Sequence, residues 1–314
     1  AQFQLFVRSR GTQRYFVAGE LNEPIWQSSL PSVLGGPRLT RALIPGIASL
    51  VGRLTGKTGV TPVALEKDIA VSIRATVEVI ASQNVIGIIP GRDRALANEF
   101  VMFTAHYDHL GISTPDPRGD SIYNGFSDNA AGVAMVLAIA QALVHSPPAR
   151  STAFLFVSAE ERGLLGSSYY AAQPVLPLAQ TVAVINLDAG APPAPPIEWR
   201  LAGGANSTLG ALSEQIAQRH GWKIDLGLAS PNSDYWPFHT RGVPAVFLIP
   251  GPAWEGLSPR ERDALRARWD RYHRADDEWA DAFPFSGLRR YAQLALEIGT
   301  AAANAPKRPA LITH

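Results

Sequence analysis

His106 and Asp108 stand two residues apart in Ala105-His106-Tyr107-Asp108-His109-Leu110-Gly111, directly after an apolar run from Glu99 to Thr104. On an extended backbone such a pair points to one side. Asp108 could then accept the second imidazole N–H of a metal-bound His106, fixing the tautomer and raising the ligand's basicity. An isolated pair of this kind is more often a polar strand end, but the rest of the chain adds further donors. Asp128 precedes an apolar segment, Glu160 and Glu161 follow a second apolar run, Asp188 follows a third, and His273 lies in Tyr272-His273-Arg274. His106, Asp128, Glu161, Asp188 and His273 make a five-donor set that two zinc ions can share if one carboxylate bridges. Two such ions about 3.5–4 Å apart can bind a water between them, lower its pKa and clamp an attacked carbonyl. Glu160 remains free as general base, near that water without being tied to a metal. The chain has no cysteine, so any metal must use His, Asp and Glu.

The elements that must position these residues are legible in the hydrophobic pattern. Asp68 to Ile80 alternates with period two and is expected to form an antiparallel hairpin with Val85 to Ile89. Phe100 to Thr104 is a strand that delivers His106. Thr152 to Ser158 is continuously apolar, as expected for a strand buried on both faces, and it delivers Glu160 and Glu161. Gln180 to Asn186 does the same for Asp188. Ligands in open α/β sheets bind at the C-terminal edge of such strands. Further strands are expected at Ile197–Leu201 and Val243–Ile249. Helices are expected at Val133–Val144, from Gly166 to Ala172, at Ser207–His220, at Ser258–Tyr272 and at Leu288–Ala303. As an isolated residue, Asp128 also reads as the cap of the first helix. His109 reads as a supporting or rim residue, and His145, His220 and His239 as surface or packing histidines. Residues 1–65 are the least patterned, with short strands expected at Phe3–Val7 and Arg14–Ala18.

Composition narrows the function. The 314 residues are 46% hydrophobic and 18% charged, with a formal net charge of +1. That is enough for a sizeable core. No run of five or more basic residues occurs, which argues against nucleic acid or an anionic membrane as the main partner. No uninterrupted apolar run reaches the ~18 residues of a membrane span. Gly52-Arg53-Leu54-Thr55-Gly56-Lys57-Thr58 has three residues between its glycines where a phosphate loop needs four. Ser127-Asp128-Asn129 and Lys57-Thr58-Gly59 echo penicillin-binding enzymes in the wrong order and without their Ser-x-x-Lys.

Over roughly residues 66–303 the chain resembles the co-catalytic dizinc aminopeptidases, a family related to bacterial leucyl aminopeptidases and glutamate carboxypeptidase II. The resemblance rests on Ala-His-Tyr-Asp-His-Leu-Gly (105–111), Asp-Asn-Ala-Ala-Gly (128–132), Ala-Glu-Glu (159–161), Asn-Leu-Asp (186–188), Ser-Asp-Tyr-x-x-Phe (233–238) and Tyr-His-x-x-x-Asp (272–277), in the family's order. It implies a three-layer α/β/α fold with a mixed, mostly parallel central sheet. It implies two Zn2+ per chain, one on His106 and Asp188, the other on Glu161 and His273, with Asp128 bridging. Glu160 matches the general base, Asp108 the partner of His106, and Tyr272 a residue that helps stabilise the oxyanion. Asp276 or Asp277 is a candidate support for His273, and the Asp128–Asn129 peptide is expected to be cis. The implied activity is removal of N-terminal residues from peptide substrates. A carboxypeptidase of the same family, a one-zinc glutaminyl cyclase and a metal-free binding scaffold are the alternatives. Ser233-Asp234-Tyr235 departs from the family's frequent Ser-Asp-His, and residues 251–272 are expected to form a lid or rim. Residues 1–65 resemble the trailing part of a protease-associated domain, 66–305 form the expected catalytic domain, and 306–314 a tail. Relatives are often exported, so a periplasmic or secreted location is the expectation.

Overall fold

The computed structural model describes residues 80–312, which lie almost wholly within one compact unit spanning residues 81–314. The expected features before residue 80, including the protease-associated resemblance and the strand from Asp68, lie outside the described residues.

The strands are β1 Val85–Ile89, β2 Phe100–His106, β3 Gly111–Ile112, β4 Ile122–Tyr123, β5 Ser151–Val157, β6 Thr181–Asn186, β7 Glu198–Ala202, β8 Lys223–Gly227 and β9 Ala245–Pro250. The helices are α1 Ala131–His145, α2 Leu165–Ala172, α3 Thr208–Arg219, the short α4 Trp236–His239, α5 Pro259–Trp269 and α6 Ser286–Asn304. Seven strands form one sheet in the order β1-β5-β2-β6-β9-β7-β8, and β3 and β4 form a separate small hairpin. β2 runs parallel to both β5 and β6, β6 to β9, and β7 to β8; β1 pairs antiparallel with β5, and β7 with β9. The sheet is therefore mixed and mostly parallel.

β2 is buried along its whole length, because helices cover both faces. Its alternate residues separate cleanly. Val101, Phe103 and Ala105 join the core beneath α1, α3 and α6, while Phe100 and Met102 join the core beneath α2 and α4. α1 buries Met135, Val136, Ile139 and Leu143, a stripe of helical period. The segment Phe126–His145 is apolar and long enough to cross a membrane by composition alone. Here it carries buried Asp128 and packs on the sheet as a core helix. α6 lies beside α1 and presents Leu288, Tyr291, Leu294, Ala295 and Ile298 to the same core.

At the N-terminal edge of the sheet, Arg150 is 2% exposed. Its guanidinium donates to Glu99 Oε2 at 2.5 Å and to the carbonyls of Ala305 at 2.5 Å and Ala303 at 3.4 Å, closing the end of α6. The expected tail runs back along the body: Thr208 N donates to the Ala310 carbonyl, and Ile312 N to that of Asn206. Sequence reading missed β8, whose Lys223 and Asp225 interrupt any apolar run. The helix expected to reach Tyr272 stops at Trp269; its start is set by a Ser258–Glu261 capping box, and it buries no residue.

Candidate metal centre

The three central strands end together. His106 is the last residue of β2 and lies opposite Val157 of β5; Thr104 lies opposite Asn186 of β6. Glu160 and Glu161 therefore emerge just past β5, and Asp188 just past β6, at one edge of the sheet. Ala159 turns the chain there with φ 58°. Asp128 arrives from the irregular segment 126–130 before α1, where the Asp128–Asn129 peptide is cis, as the family resemblance implies. Asn129 locks this segment by donating to the Leu187 carbonyl at 3.0 Å and accepting from Gly132 N at 3.0 Å. Gly132 is required by close approach: a Cβ there would lie 2.1 Å from Asn129 Oδ1 and 2.4 Å from the Leu187 carbonyl oxygen.

The donors form two groups that share Asp128. In the first, His106 Nε2 lies 2.7 Å from Asp188 Oδ1 and 3.2 Å from Asp128 Oδ1. In the second, His273 Nε2 lies 3.1 Å from Asp128 Oδ2 and 3.3 Å from Glu161 Oε2. Neighbouring ligands 2.0–2.2 Å from a tetrahedral ion stand about 3.3–3.5 Å apart. The donors stand at or slightly inside that spacing, at hydrogen-bond distance of one another; their types suit zinc, and the two oxygens of Asp128 turn to opposite groups. His109 also enters the second group: Nδ1 is 2.9 Å from Glu161 Oε1, and its side chain is 6% exposed. It is not at the rim, and the sequence carried no signal for this beyond its place in the His-Tyr-Asp-His run.

Supporting contacts differ from the expected ones in two places. His106 Nδ1 donates to the main-chain carbonyl of Asp108 at 3.0 Å, while the Asp108 carboxylate stands 3.6 Å away. That carboxylate instead accepts the amides of Glu160 at 3.0 Å and Glu161 at 3.3 Å. A carbonyl can only accept, so Nδ1 carries the proton and Nε2 faces the carboxylates. Neither Asp276 nor Asp277 has a bond to His273 among the described contacts. Asp276 pairs with Arg271 and Arg274. Asp277, 2% exposed, accepts the amides of Ser127 at 3.0 Å and Asp128 at 3.1 Å, and so fixes the shared carboxylate. Ser233 Oγ donates to Asp188 Oδ2 and accepts from Asn186 Nδ2 at 2.6 Å.

Burial alone would lower the His106 pKa, but the nearby carboxylates of Asp108, Asp128 and Asp188 override this and hold it far above the ordinary imidazole value. Burial, then the charges of Asp188 and Asp234, push Glu160 up to about 9. Asp234 is raised to about 7 by burial and the Asp188 charge; its Oδ1 accepts from Ser167 Oγ at 2.6 Å. Tyr272 stacks on His273 with ring centroids 3.8 Å apart. Loss of solvent around the phenol, then the charges of Asp128, Glu161 and Glu160, hold Tyr272 up to about 12.

The pattern of peptidase family M28 matches residues 84–299 of this sequence. The chain belongs to peptidase family M28. It is similar to aminopeptidase YwaD of Bacillus subtilis strain 168, with 27% identity over 237 residues, covering 69% of this chain and 48% of that protein. Among solved structures it resembles BSAP, a zinc aminopeptidase from Bacillus subtilis, with a TM-score of 0.51 at 27% identity over 70% of this chain and 49% of that one. The fold is also that of the aminopeptidase from Aneurinibacillus sp. strain AM-1, with a TM-score of 0.52 at 22% identity over 72% of this chain and 48% of that one. This M28 chain spans about half the length of these relatives.

Proposed function

We propose that this chain is a zinc-dependent aminopeptidase that removes N-terminal residues from peptides, with two zinc ions per chain. The observation that carries the reading is the shared Asp128, whose Oδ1 faces His106 Nε2 at 3.2 Å and whose Oδ2 faces His273 Nε2 at 3.1 Å. His106 and Asp188 would hold one ion, Glu161 and His273 the other, and Asp128 both. Bound zinc supplies a Lewis acid that acidifies water and polarises the scissile carbonyl.

The chain's own residues do the rest. Glu160 is held beside the donors through its amide, bonded to Asp108 Oδ1 at 3.0 Å. Its carboxylate takes the proton from the attacking water and gives it to the leaving amine as the peptide C–N bond breaks. Burial and then neighbouring negative charge raise Glu160 to about 9; cations in the site would offset the charge part and bring the base toward neutral pH. Tyr272, held near 12, keeps its proton at neutral pH and can donate it in a hydrogen bond to the oxyanion. The bond between His106 Nδ1 and the Asp108 carbonyl turns Nε2 into the site, where it would give up its proton to offer a lone pair when an ion is bound.

The test is a mass-spectrometric time course on a mixed-sequence decapeptide, with zinc and with chelator. A ladder lost from the N-terminus and abolished by chelator is expected. Glu160→Gln should keep its metal and lose turnover by ~10²–10⁴-fold. Full activity in that variant, or a ladder from the C-terminus, would overturn the reading.

A further inference from the structure

Two imidazoles, not one, face the second donor group. His109 Nδ1 lies 2.9 Å from Glu161 Oε1 and 3.8 Å from Asp128 Oδ2. His273 Nε2 takes the other side, 3.3 Å from Glu161 Oε2 and 3.1 Å from Asp128 Oδ2. The two rings meet at an angle of 61° with centroids 5.7 Å apart, so their nitrogens converge on the same two carboxylates without stacking. Nitrogen and oxygen atoms of His109, Asp128 and Glu161 all fall within 4.8 Å of one another.

The place for this ring is built. Gly125 adopts φ +70°, and a Cβ there would lie 2.7 Å from His109 Cγ and 2.9 Å from its Cβ. The position that starts the Asp128 segment is thus a glycine both for its turn and for the room it leaves the imidazole. His109 Nε2 is buried and has no hydrogen-bond partner among the described residues. Nδ1 donates to Glu161 Oε1 at 2.9 Å; with an ion in the site, the ring's proton would reside on Nε2 and leave the Nδ1 lone pair directed at the carboxylates.

We propose that His109 is a direct metal ligand through Nδ1, giving the ion held by Glu161 and His273 a second imidazole. The inference rests on the two-metal reading above. It makes the centre asymmetric. The group of His106, Asp188 and Asp128 offers three protein ligands, the number that leaves an open position at catalytic zinc. The group of Glu161, His273, His109 and Asp128 offers four, as in closed sites. Two imidazoles also favour zinc, cobalt or nickel there over magnesium or manganese.

The direct test needs no variant. Wild-type protein carrying 15N-labelled histidine is loaded with 113Cd, and the imidazole nitrogens are read by NMR. Cadmium coupling to one Nδ1 as well as to Nε2 nitrogens is expected; coupling to Nε2 nitrogens alone overturns the inference while leaving the two-metal reading intact. No coupling to any histidine overturns both. Co2+ titration of the apoprotein, followed by visible absorption and chelator competition, gives the energetic counterpart. Replacing partners that only support a ligand costs ~10–100-fold in metal affinity. His109→Ala should therefore weaken one of two equivalents by ~100-fold or more, and His109→Gln should do the same, with the other equivalent unchanged. A loss of only ~10–100-fold with the wild-type Co2+ spectrum would show that His109 merely hydrogen-bonds Glu161, and wild-type affinities in both variants would exclude it from the centre altogether; either result overturns the inference.

Discussion

Replacing Asp277 with alanine should loosen the shared ligand Asp128 without touching any donor atom. The Asp277 carboxylate accepts Ser127 N at 3.0 Å and Asp128 N at 3.1 Å, and both amides sit in the poorly solvated segment before α1. Leaving a buried donor unsatisfied costs about 1–3 kcal/mol. Two such donors give about 2–6 kcal/mol, divided between global stability and local displacement of Asp128. Because Asp128 faces both donor groups, displacement weakens both ions, by ~10–100-fold as for other supporting residues. Asp277→Asn keeps one carbonyl acceptor but presents an amide where a second N–H already points, so it should fall between wild type and alanine. Urea denaturation with and without zinc measures the first share, and chelator competition the second. The reasoning is refuted if Asp277→Ala retains both its stability and its metal affinity. The segment would then be held by Asn129 and by the bond from Ala191 N to Ser127 Oγ.

Arg150→Met should destabilise the protein by about 3 kcal/mol, the lower end for breaking a buried ion pair, because Arg308 still pairs with Glu99 at 2.7 Å. Arg150 precedes β5, whose seven residues place it roughly 20 Å from the metal centre; kcat/KM per folded molecule should stay at the wild-type value, and a large loss in the folded fraction would refute this separation. The chelated protein should lose stability as pH rises from 5 to 9. Asp234 and Glu160 have folded pKa values of about 7 and about 9, above their ordinary 3.8 and 4.5. The folded state therefore binds more protons than the unfolded one across this window, and stability falls with pH until the folded values are passed. His106, also raised, acts in the same direction. A urea midpoint that rises over this range in chelator would contradict the assigned environments.

The sequence by itself determined the strands that carry chemistry and the residue types at their ends. Continuous apolar runs announce β2, β5 and β6, because strands covered on both faces need apolar residues at successive positions. Charged residues immediately after such runs mark the sheet edge where His106, Glu160, Glu161 and Asp188 emerge. β8 was not legible, since Lys223 and Asp225 alternate with half-buried Ile224 and Leu226 at one end of the sheet. The sheet order was decided only in three dimensions, because it joins strands by pairing across long separations, as β2 does with β6.

The same holds for the bonds that tune the centre. Asp108 reaches the Glu160 amide across 52 residues, Asp277 the Ser127 amide across 150, and Ser233 the Asp188 carboxylate across 45. Spacing along the chain put Asp108 beside His106, but whether its carbonyl or its carboxylate met the ring depended on which amides β5 brought alongside. His109 lies three residues past the end of β2, beyond the reach of the strand argument. Its entry into the centre depended on Gly125 leaving room for the ring. A hydrogen bond or a ligand contact is decided within tenths of an ångström, and only the assembled sheet and its loops set distances on that scale.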